Sequence, residues 1–184
     1  MKRNFILILS IICSFIFSSE IKEKTLETIN DYYKKDIKIN DFKFSIPKKI
    51  KSKIQNQVKQ KFYRDQIYYW TIEFENKTHY ALMDNTIGKT MPITFLIIFN
   101  ENQEVIHSKI IKYREAYGGE IGGEKWLSQF IGMKKDSLYK DGKEIDGITG
   151  ATLSVKSFTK GIGKLSLLLP YIIDKNKTKW TSKA

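Results

Sequence analysis

The spacing of apolar residues predicts helices at the start of the chain. In 20–35 they recur at helical spacing, which predicts a short first helix. The segment 36–45 alternates between apolar and polar residues and predicts an extended arm. After Pro47 the apolar residues recur every four positions, which predicts a second helix over 48–62 with proline near its start. These apolar positions are Ile50, Ile54, Val58 and Phe62.

The middle of the chain has the short apolar runs that are typical of strands. The runs 67–74 and 79–84 flank the polar segment 75–78, which predicts a hairpin. The runs 93–99 and 105–113 flank another polar turn and predict a second hairpin. Because 93–99 is apolar almost throughout, we expect it in the interior of a sheet.

A glycine-containing loop, 114–124, and a short helical piece, 125–132, follow the predicted strands. A last helix is predicted from about Ser154, and Pro170 is expected to end or kink it. The polar, basic segment 174–184 is expected to be frayed. Helices on both sides of a block of strands predict an α+β fold, in which an antiparallel sheet of two hairpins packs against helices. The buried face predicted for the last helix is Val155, Phe158, Ile162, Leu165 and Leu169.

The composition agrees with one folded domain. The chain has 184 residues, and 13% of them are aromatic. This length can bury a substantial core, and the aromatic content argues against a disordered protein.

Residues 1–19 have the pattern of a secretory signal, with a basic start and the apolar run 5–17. That run suits a signal peptide and is short for a membrane span. Cleavage near Ser19 is the first interpretation, an uncleaved anchor the second and lipidation of Cys13 the third. We therefore expect an exported protein, in the periplasm or on the outer surface of the cytoplasmic membrane.

The reactive side chains are few. Cys13 is the only cysteine, so a chain without the signal has no disulfide, cysteine-ligated cluster, attached haem or cysteine nucleophile. His79 and His107 lack the spacing of a zinc-binding helix and are interpreted as ordinary strand residues. No metal site is predicted.

The second predicted helix has a lysine-rich face. This face is either solvated or in contact with an anionic membrane surface or an acidic partner. Aromatic residues interleave poorly with the lysines, which disfavours nucleic acid as a partner. The lysines are Lys48, Lys49, Lys51, Lys53, Lys59 and Lys61.

The segment 146–154, DGITGATLS, precedes the last predicted helix. One interpretation is a glycine-containing turn followed by a Thr or Ser N-cap. The other is a phosphate site, since the first amides of a helix lack partners and the helix dipole favours an anion. Gly150 and Ala151 would let a phosphate approach the backbone, and Thr152 places a hydroxyl there. The local chemistry leaves both interpretations open.

The order of residues in 146–152 resembles D-x-x-(S/T)-G-A-T, the flavinylation motif of FMN-binding domains. That family includes the FMN subunits of sodium-pumping NADH:quinone reductase and of Rnf complexes, and small stand-alone secreted domains. The family attaches FMN to the last threonine of the motif through a phosphoester, so the resemblance implies this role for Thr152. The remaining cofactor-binding residues that it implies here are Asp146, Thr149, Gly150, Ala151, Leu153 and Ser154.

A second likeness lies in 113–121 and 126–132, which resemble the family's loop and its W-x-x-Q-F-x-G helix. The larger reductase subunits tend to have E-T-P-G-L-G where this chain has E-A-Y-G-G-E, so it is closer to the stand-alone domains. The similarity covers roughly 65–169. No catalytic residues are assigned, because Glu120 and Glu124 have no histidine or metal partner nearby. The loop residues expected to border the flavin are Tyr117, Gly118, Gly119 and Glu120.

The resemblance implies an electron-transfer protein with covalent FMN, matured by a magnesium-dependent FMN transferase that uses FAD. Its redox partners would be unidentified proteins or a quinone-linked membrane complex. The alternative is a non-redox module that docks to a membrane or a protein through the lysine-rich helix; a flavin-dependent enzyme with its own small substrate is a third option. The predicted divisions are a signal or anchor, a helical region, the FMN-binding domain and a basic tail: 1–19, 20–64, 65–173 and 174–184.

Overall fold

The computed structural model describes residues 20–137 and 145–181, with side chains up to residue 177. The predicted signal segment 1–19, with Cys13, lies outside the described residues. The chain divides into a first unit that ends at Asp36 and a second unit that begins at Ile37. In the first unit, the described residues 20–33 are helical and are called α1, which confirms the first predicted helix.

The second unit contains a five-stranded antiparallel sheet in the order β1-β2-β3-β4-β5. Both predicted hairpins are present, and the predicted α+β class is confirmed. Within the described residues, no helix is both long enough and apolar enough to cross a membrane. The strands are β1 (Lys38–Ser45), β2 (Gln66–Phe74), β3 (Lys77–Ile87), β4 (Pro92–Phe99) and β5 (Val105–Lys112).

The expected extended arm is instead a strand of the sheet. β1 pairs along its whole length with β2, from Lys38 opposite Glu73 to Ser45 opposite Gln66. Alternation in 36–45 indicated extended backbone but not its partner, and the unpaired amides of an edge strand provide one. The sheet therefore has one strand more than the two predicted hairpins supply.

The turn between β2 and β3 is tighter than the predicted four-residue segment 75–78. Only Glu75 and Asn76 lie between the paired Phe74 and Lys77, and their φ angles are 48° and 61°. Two consecutive left-handed residues are the requirement of a type I′ turn, whose twist matches that of the strands.

Strand β4 lies between β3 and β5, and every residue from Ile93 to Phe99 is buried, which confirms its interior position. Helix α4, Thr152–Thr181, packs on this sheet. A Cβ atom on Gly161 would lie 2.7 Å from Cζ of Phe95, so glycine permits the close approach of helix and strand. The predicted face of α4 is buried at Phe158, Ile162, Leu165 and Leu169 and partly buried at Val155.

Pro170 does not end α4, and 174–181 is helical rather than frayed. Contacts with the sheet explain the continuation. Ile172 is fully buried, and Tyr69 of β2 donates a hydrogen bond of 2.8 Å to Oδ1 of the buried Asn176. Tertiary packing thus stabilises residues that the local pattern assigned to a polar tail.

Helix α2, Lys48–Val58, is shorter than the predicted 48–62. It ends because Lys59 adopts the left-handed conformation, with φ of 54°, which closes the last turn. The segment 59–62 continues without helical structure along α4, and Phe62 is buried. Farther along the chain, the short helix α3, Glu124–Leu127, confirms the helical piece predicted there.

A buried ion pair joins β3, α4 and the 59–62 segment. Nζ of Lys164 lies 2.8 Å from Oδ2 of Asp84, and both side chains are almost completely inaccessible. Lys164 also donates a hydrogen bond of 2.9 Å to the carbonyl of Lys61, and its Nζ lies over the ring of Phe62. The pair therefore fixes the chain that follows α2 against α4.

Candidate functional site

The segment before α4 forms a tight turn. Ala151 donates its amide to the carbonyl of Ile148 at 3.0 Å, and Gly150 has a φ of +79°. A positive φ at this third turn position is typical of a type II turn and favours glycine. Thr152 is the first residue of the helix, so Ala151 occupies the position where a side-chain oxygen normally caps it. The Thr or Ser cap suggested by the sequence is therefore not what the structure shows.

The first amides of α4 are available to an anion. The amides of Thr152, Leu153 and Ser154 have no backbone acceptor among the described residues, whereas that of Val155 donates to Ala151 at 2.9 Å. Such amides, at the positive end of a 30-residue helix, can donate hydrogen bonds to a phosphate.

The three hydroxyls of the segment differ in accessibility. Thr149 and Thr152 are exposed, whereas Ser154 is only 3% exposed. Within 20–137 and 145–181, the Thr152 side chain makes no hydrogen bond. Thr152 thus offers an accessible hydroxyl at the head of α4.

Asp146 is fixed through its backbone by two residues of the W-x-x-Q-F segment. Nε1 of Trp126 donates to the carbonyl of Asp146 at 2.8 Å, and the Asp146 amide donates to Oε1 of Gln129 at 2.9 Å. The Trp126 ring packs against Phe130 and Phe158, with centroids 5.2 and 5.5 Å away. Trp126 therefore couples the start of the motif to α4.

The glycine-containing loop contacts the turn directly. Gly118 has a φ of +80°, and a Cβ atom there would lie 2.5 Å from Cβ of Ala151. The Tyr113 hydroxyl donates to the carbonyl of Tyr117 at 2.7 Å and closes the loop. Any larger residue at Gly118 would force the loop away from the turn.

Glu115 ties the loop between β3 and β4 to the same region. Its carboxylate accepts hydrogen bonds from the amides of Thr90 and Met91 at 2.7 and 2.9 Å, and from the Thr90 hydroxyl at 3.0 Å. These donors hold the pKa of Glu115 below its usual value, and the Met91 amide has the largest effect. Neighbouring Arg114 donates to the carbonyl of Pro92 at 2.8 Å, which fixes a cation nearby.

These segments line a cavity of about 890 Å³. We call it the flavin cavity, after the ligand that the resemblance of 146–152 implies. Of the residues predicted to bind a cofactor, Asp146 and Gly119 do not line it: Asp146 acts through its backbone, and Gly119 is exposed. The predicted residues that line it are Thr149, Gly150, Ala151, Thr152, Leu153, Ser154, Tyr117, Gly118 and Glu120. The Tyr117 side chain is 83% exposed.

Sequence reasoning missed several lining residues. Lys89, Thr90 and Met91 come from a loop with no local signal of function, and Arg114 and Glu115 lie in the resembling segment 113–121 without a predicted role. Conversely, Glu124 does not line the cavity. No group of three or more metal-ligating side chains is found in the part of the chain that the structure describes.

Both histidines lie in strands, His79 in β3 and His107 in β5. Burial lowers the pKa of each, and a nearby carboxylate partly opposes that shift, Glu101 for His79 and Glu124 for His107. The expectation that Glu124 has no histidine nearby is therefore wrong. Neither residue lines the flavin cavity, in agreement with the sequence interpretation.

The comparison with protein families gives a match of residues 88–165 to the FMN-binding domain. This match confirms the predicted resemblance; it begins just after β3 and contains the flavin cavity's turn and loop. No curated protein and no solved structure matches the chain. FMN binding is therefore the function that the family match supports for this segment.

The residues present fit FMN. The cavity has the volume of a cofactor site. Its free amides at the head of α4, with Lys89 and Arg114 on the same lining, suit a phosphate dianion. A Cβ atom on Gly150 would meet nothing within 4 Å, so open space borders the backbone of the turn in the cavity lining.

Proposed function

We propose that this protein transfers electrons outside the cytoplasm and carries FMN attached to Thr152 through a phosphoester. The observation that supports this most is the Thr152 hydroxyl, which is exposed, lines the flavin cavity and stands at the head of α4. Ser154, two residues further along the chain, is buried. Thr152 is therefore the better acceptor of the two.

The attachment would be made by an FMN transferase that uses FAD and magnesium. The Thr152 hydroxyl would displace AMP from the flavin-side phosphorus of FAD, so one P–O bond forms as another breaks and the hydroxyl proton is lost. The transferase would recognise the exposed motif, in which Trp126 and Gln129 fix Asp146.

Within the flavin cavity, the chain would bind and orient the cofactor rather than react. The amides of α4 would stabilise the phosphate charge, with Lys89 and Arg114 as nearby cations. Gly118 and Tyr117 would border the ring. When bound, the flavin supplies reversible electron transfer, and burial, hydrogen bonds and charge would tune it.

A covalent bond suits an exported protein. Outside the cytoplasm there is no large FMN pool from which a dissociated cofactor could be replaced. Attachment through the phosphate retains the cofactor and leaves the ring system unmodified.

The direct test is production with an active FMN transferase. Wild type is expected to become yellow, to gain the mass of FMN less one water, and to carry that mass on a peptide from 146–156. Thr152→Ala is expected to fold and stay colourless, whereas Thr152→Ser should accept flavin. Flavin on Thr149 or Ser154, or intact attachment in Thr152→Ala, would contradict the assignment.

A further control is Thr149→Ala, which changes the motif but not the proposed acceptor. It is expected to slow attachment without moving it. Export is tested separately by cell fractionation. Recovery of the full-length chain only from the cytoplasm would remove both the proposed location and the reason given for covalent retention.

The second candidate is a non-redox module that docks through the lysine-rich face of α2. The observation that favours it is the exposure of Lys48, Lys49 and Lys53. Lys51 differs, because it pairs with Asp65 at 2.7 Å. A colourless wild type in the presence of active transferase would favour this candidate. If the first proposal holds, changing the three exposed lysines to Gln should leave flavin content unchanged.

A further inference from the structure

A second cavity, of about 580 Å³, lies between the segment that follows α2 and the first turns of α4. Every charged residue that lines it is a lysine, and we call it the basic cleft. Leu153 lines both this cleft and the flavin cavity, so the two are neighbours. The four lysines of the basic cleft are Lys59, Lys61, Lys156 and Lys160.

Carboxylates of the described residues do not neutralise the charge of the basic cleft. In 20–137 and 145–181, no carboxylate forms an ion pair with any of its four lysines. Other lysines do have such partners, for example Lys77 with Glu101 and Lys134 with Glu104. Four like charges around one concavity attract an anionic partner and repel a cationic one.

One wall of the cleft is fixed in place. Between Lys59 and Lys61, the side-chain Nε2 of Gln60 donates to the hydroxyl of Thr86 and to the carbonyl of Ser157, each at 2.8 Å. The buried Lys164 holds the carbonyl of Lys61. The backbone that presents both cleft lysines is therefore ordered before any partner arrives, which lowers the entropic cost of binding.

Lys59 is an unfavourable choice for the fold alone. Its φ of 54° is left-handed, and glycine is the residue most often found at this position after a helix. A lysine there costs conformational energy that glycine would avoid. Lys34 has the same left-handed conformation, so it is the place of Lys59 in the cleft lining, and not the strain alone, that supports a functional role for its side chain.

The other wall of the cleft leads directly from the proposed attachment residue. Leu153, Lys156 and Lys160 follow one another at helical spacing along one face of α4. At 1.5 Å per residue, Lys160 lies about 12 Å along the helix from Thr152. A partner bound to these lysines is therefore adjacent to the flavin cavity.

We propose that the basic cleft is the docking surface for a carboxylate-rich segment of a redox partner protein. The proposal rests on the proposed function, because a cofactor that is covalently retained requires its partner to come to it. Two exposed apolar side chains lie among the lysines, Tyr63 at 51% and Leu153 at 55%. Aromatic residues such as Tyr63 are enriched at protein interfaces. The lysines are flexible point charges, unlike the planar arginine fork suited to bidentate recognition of a small phosphate.

The first test uses a fluorescein-labelled oligoglutamate peptide as the probe and fluorescence anisotropy as the measurement. Lys61, Lys156 and Lys160 are changed together to Gln. The dissociation constant at about 20 mM salt is expected to rise at least about tenfold, and the affinity of wild type should fall steeply towards 200 mM. The matched control changes Lys48, Lys49 and Lys53 to Gln, which removes the same charge from exposed positions outside the cleft. Equal weakening in the two triple variants would overturn the proposal, because net charge alone would then explain binding.

The second test is Lys59→Gly, which separates binding from folding. Glycine relieves the left-handed strain, so the melting temperature is expected to stay the same or rise. Peptide affinity is expected to fall several-fold. A variant that binds as well as wild type would remove Lys59 from the docking surface.

Two other anion sources serve as competing outcomes. Inorganic pyrophosphate that binds tightly through the cleft lysines, without peptide binding, would make this a small-anion site. Binding to vesicles of phosphatidylcholine and phosphatidylglycerol is measured in the same variants. If vesicle binding depends on the cleft lysines more strongly than peptide binding does, the cleft is a membrane-binding surface. Either result overturns the proposal.

Two further measurements separate this proposal from the proposed function. The colourless Thr152→Ala protein is expected to bind the peptide as wild type does, so absence of flavin leaves docking testable. In the flavinylated protein, a peptide with a terminal quencher is expected to reduce flavin fluorescence on binding. Peptide bound through the cleft without quenching would show that the cleft does not place a partner beside the flavin.

Discussion

The flavin cavity and the basic cleft share Leu153 at the start of α4 but differ in how their walls recognise a ligand. The flavin cavity presents backbone amides, glycine and charges of both signs, with Lys89 and Arg114 beside Glu115 and Glu120. The basic cleft presents lysines only. The lining of the flavin cavity suits one small molecule held in a fixed position. The lining of the basic cleft suits the surface of an anionic protein, which it attracts from a distance.

The two cavities also depend on different supporting contacts. The flavin cavity is assembled from loops in close contact, through Gly118 against Ala151 and Trp126 bonded to Asp146. The basic cleft depends on one segment that Gln60 and Lys164 fix to α4. Substitutions should therefore damage one cavity and spare the other, and the predictions follow in order of expected effect.

The largest effect is expected for Lys164→Met. Loss of the ammonium leaves Asp84 buried without its ion-pair partner, so the free energy of unfolding should fall by about 3–5 kcal/mol. Urea denaturation measures this change. The carbonyl of Lys61 loses its donor as well, so the peptide affinity of the remaining folded protein should also fall.

The control for that prediction is the double variant Asp84→Leu with Lys164→Met, which replaces both charges by apolar groups. It is expected to recover most of the stability, because no unpaired charge is buried. Recovery of stability without recovery of peptide binding would show that Lys164 contributes to the cleft as well as to the fold. A single variant as stable as wild type would contradict the importance of the pair.

A smaller effect, in the other cavity, is expected for Gly118→Ala. The new Cβ would lie 2.5 Å from Cβ of Ala151 in a left-handed conformation. Strain and overpacking should lower stability by about 1–3 kcal/mol, and flavin attachment should fall sharply. Gly119→Ala is the matched control, since a Cβ atom there has no neighbour within 4 Å. Peptide binding at the basic cleft should be unchanged in both.

The elements of the fold could be predicted from periodicity, but some of their partners could not. The alternation in 36–45 indicated extended backbone, whereas its pairing with β2 depends on residues far along the chain. Pro170 is a local signal for a helix end. It is outweighed by the burial of Ile172 and the bond from Tyr69 to Asn176, which no local pattern contains.

In the candidate site, too, contiguous residues could be predicted from the sequence and residues far apart in the chain could not. The motif in 146–152 could be found because its residues are contiguous, and resemblance supplied its chemistry. The amides of Thr90 and Met91 that bind Glu115 carry no side-chain signature. The basic cleft joins Lys59 and Lys61 to lysines almost a hundred positions later, and only the folded chain brings them together.

Trp126→Phe is expected to have a modest effect on the flavin cavity alone. Phenylalanine keeps the aromatic packing but removes the hydrogen bond to Asp146, so stability should fall by about 1 kcal/mol. The start of the motif should then be less well ordered, and flavin attachment should be slower. Ser128→Ala, on the exposed side of the same segment, is the control. An unchanged attachment rate in Trp126→Phe would show that this bond does not position the motif.

The smallest effect is expected from Glu115→Gln and concerns pH. The amides of Met91 and Thr90 lower the pKa of Glu115 from its ordinary value of 4.5. The folded protein therefore binds this proton less readily than the unfolded chain does. The contribution of Glu115 to stability is fully present above pH 4.5 and is lost as the pH falls through the folded pKa.

Thermal unfolding measured downward from pH 6 should show a shallower acid decline in Glu115→Gln than in wild type. Identical acid profiles would contradict the role given to this carboxylate. Peptide binding at neutral pH should not change, because Glu115 lines only the flavin cavity.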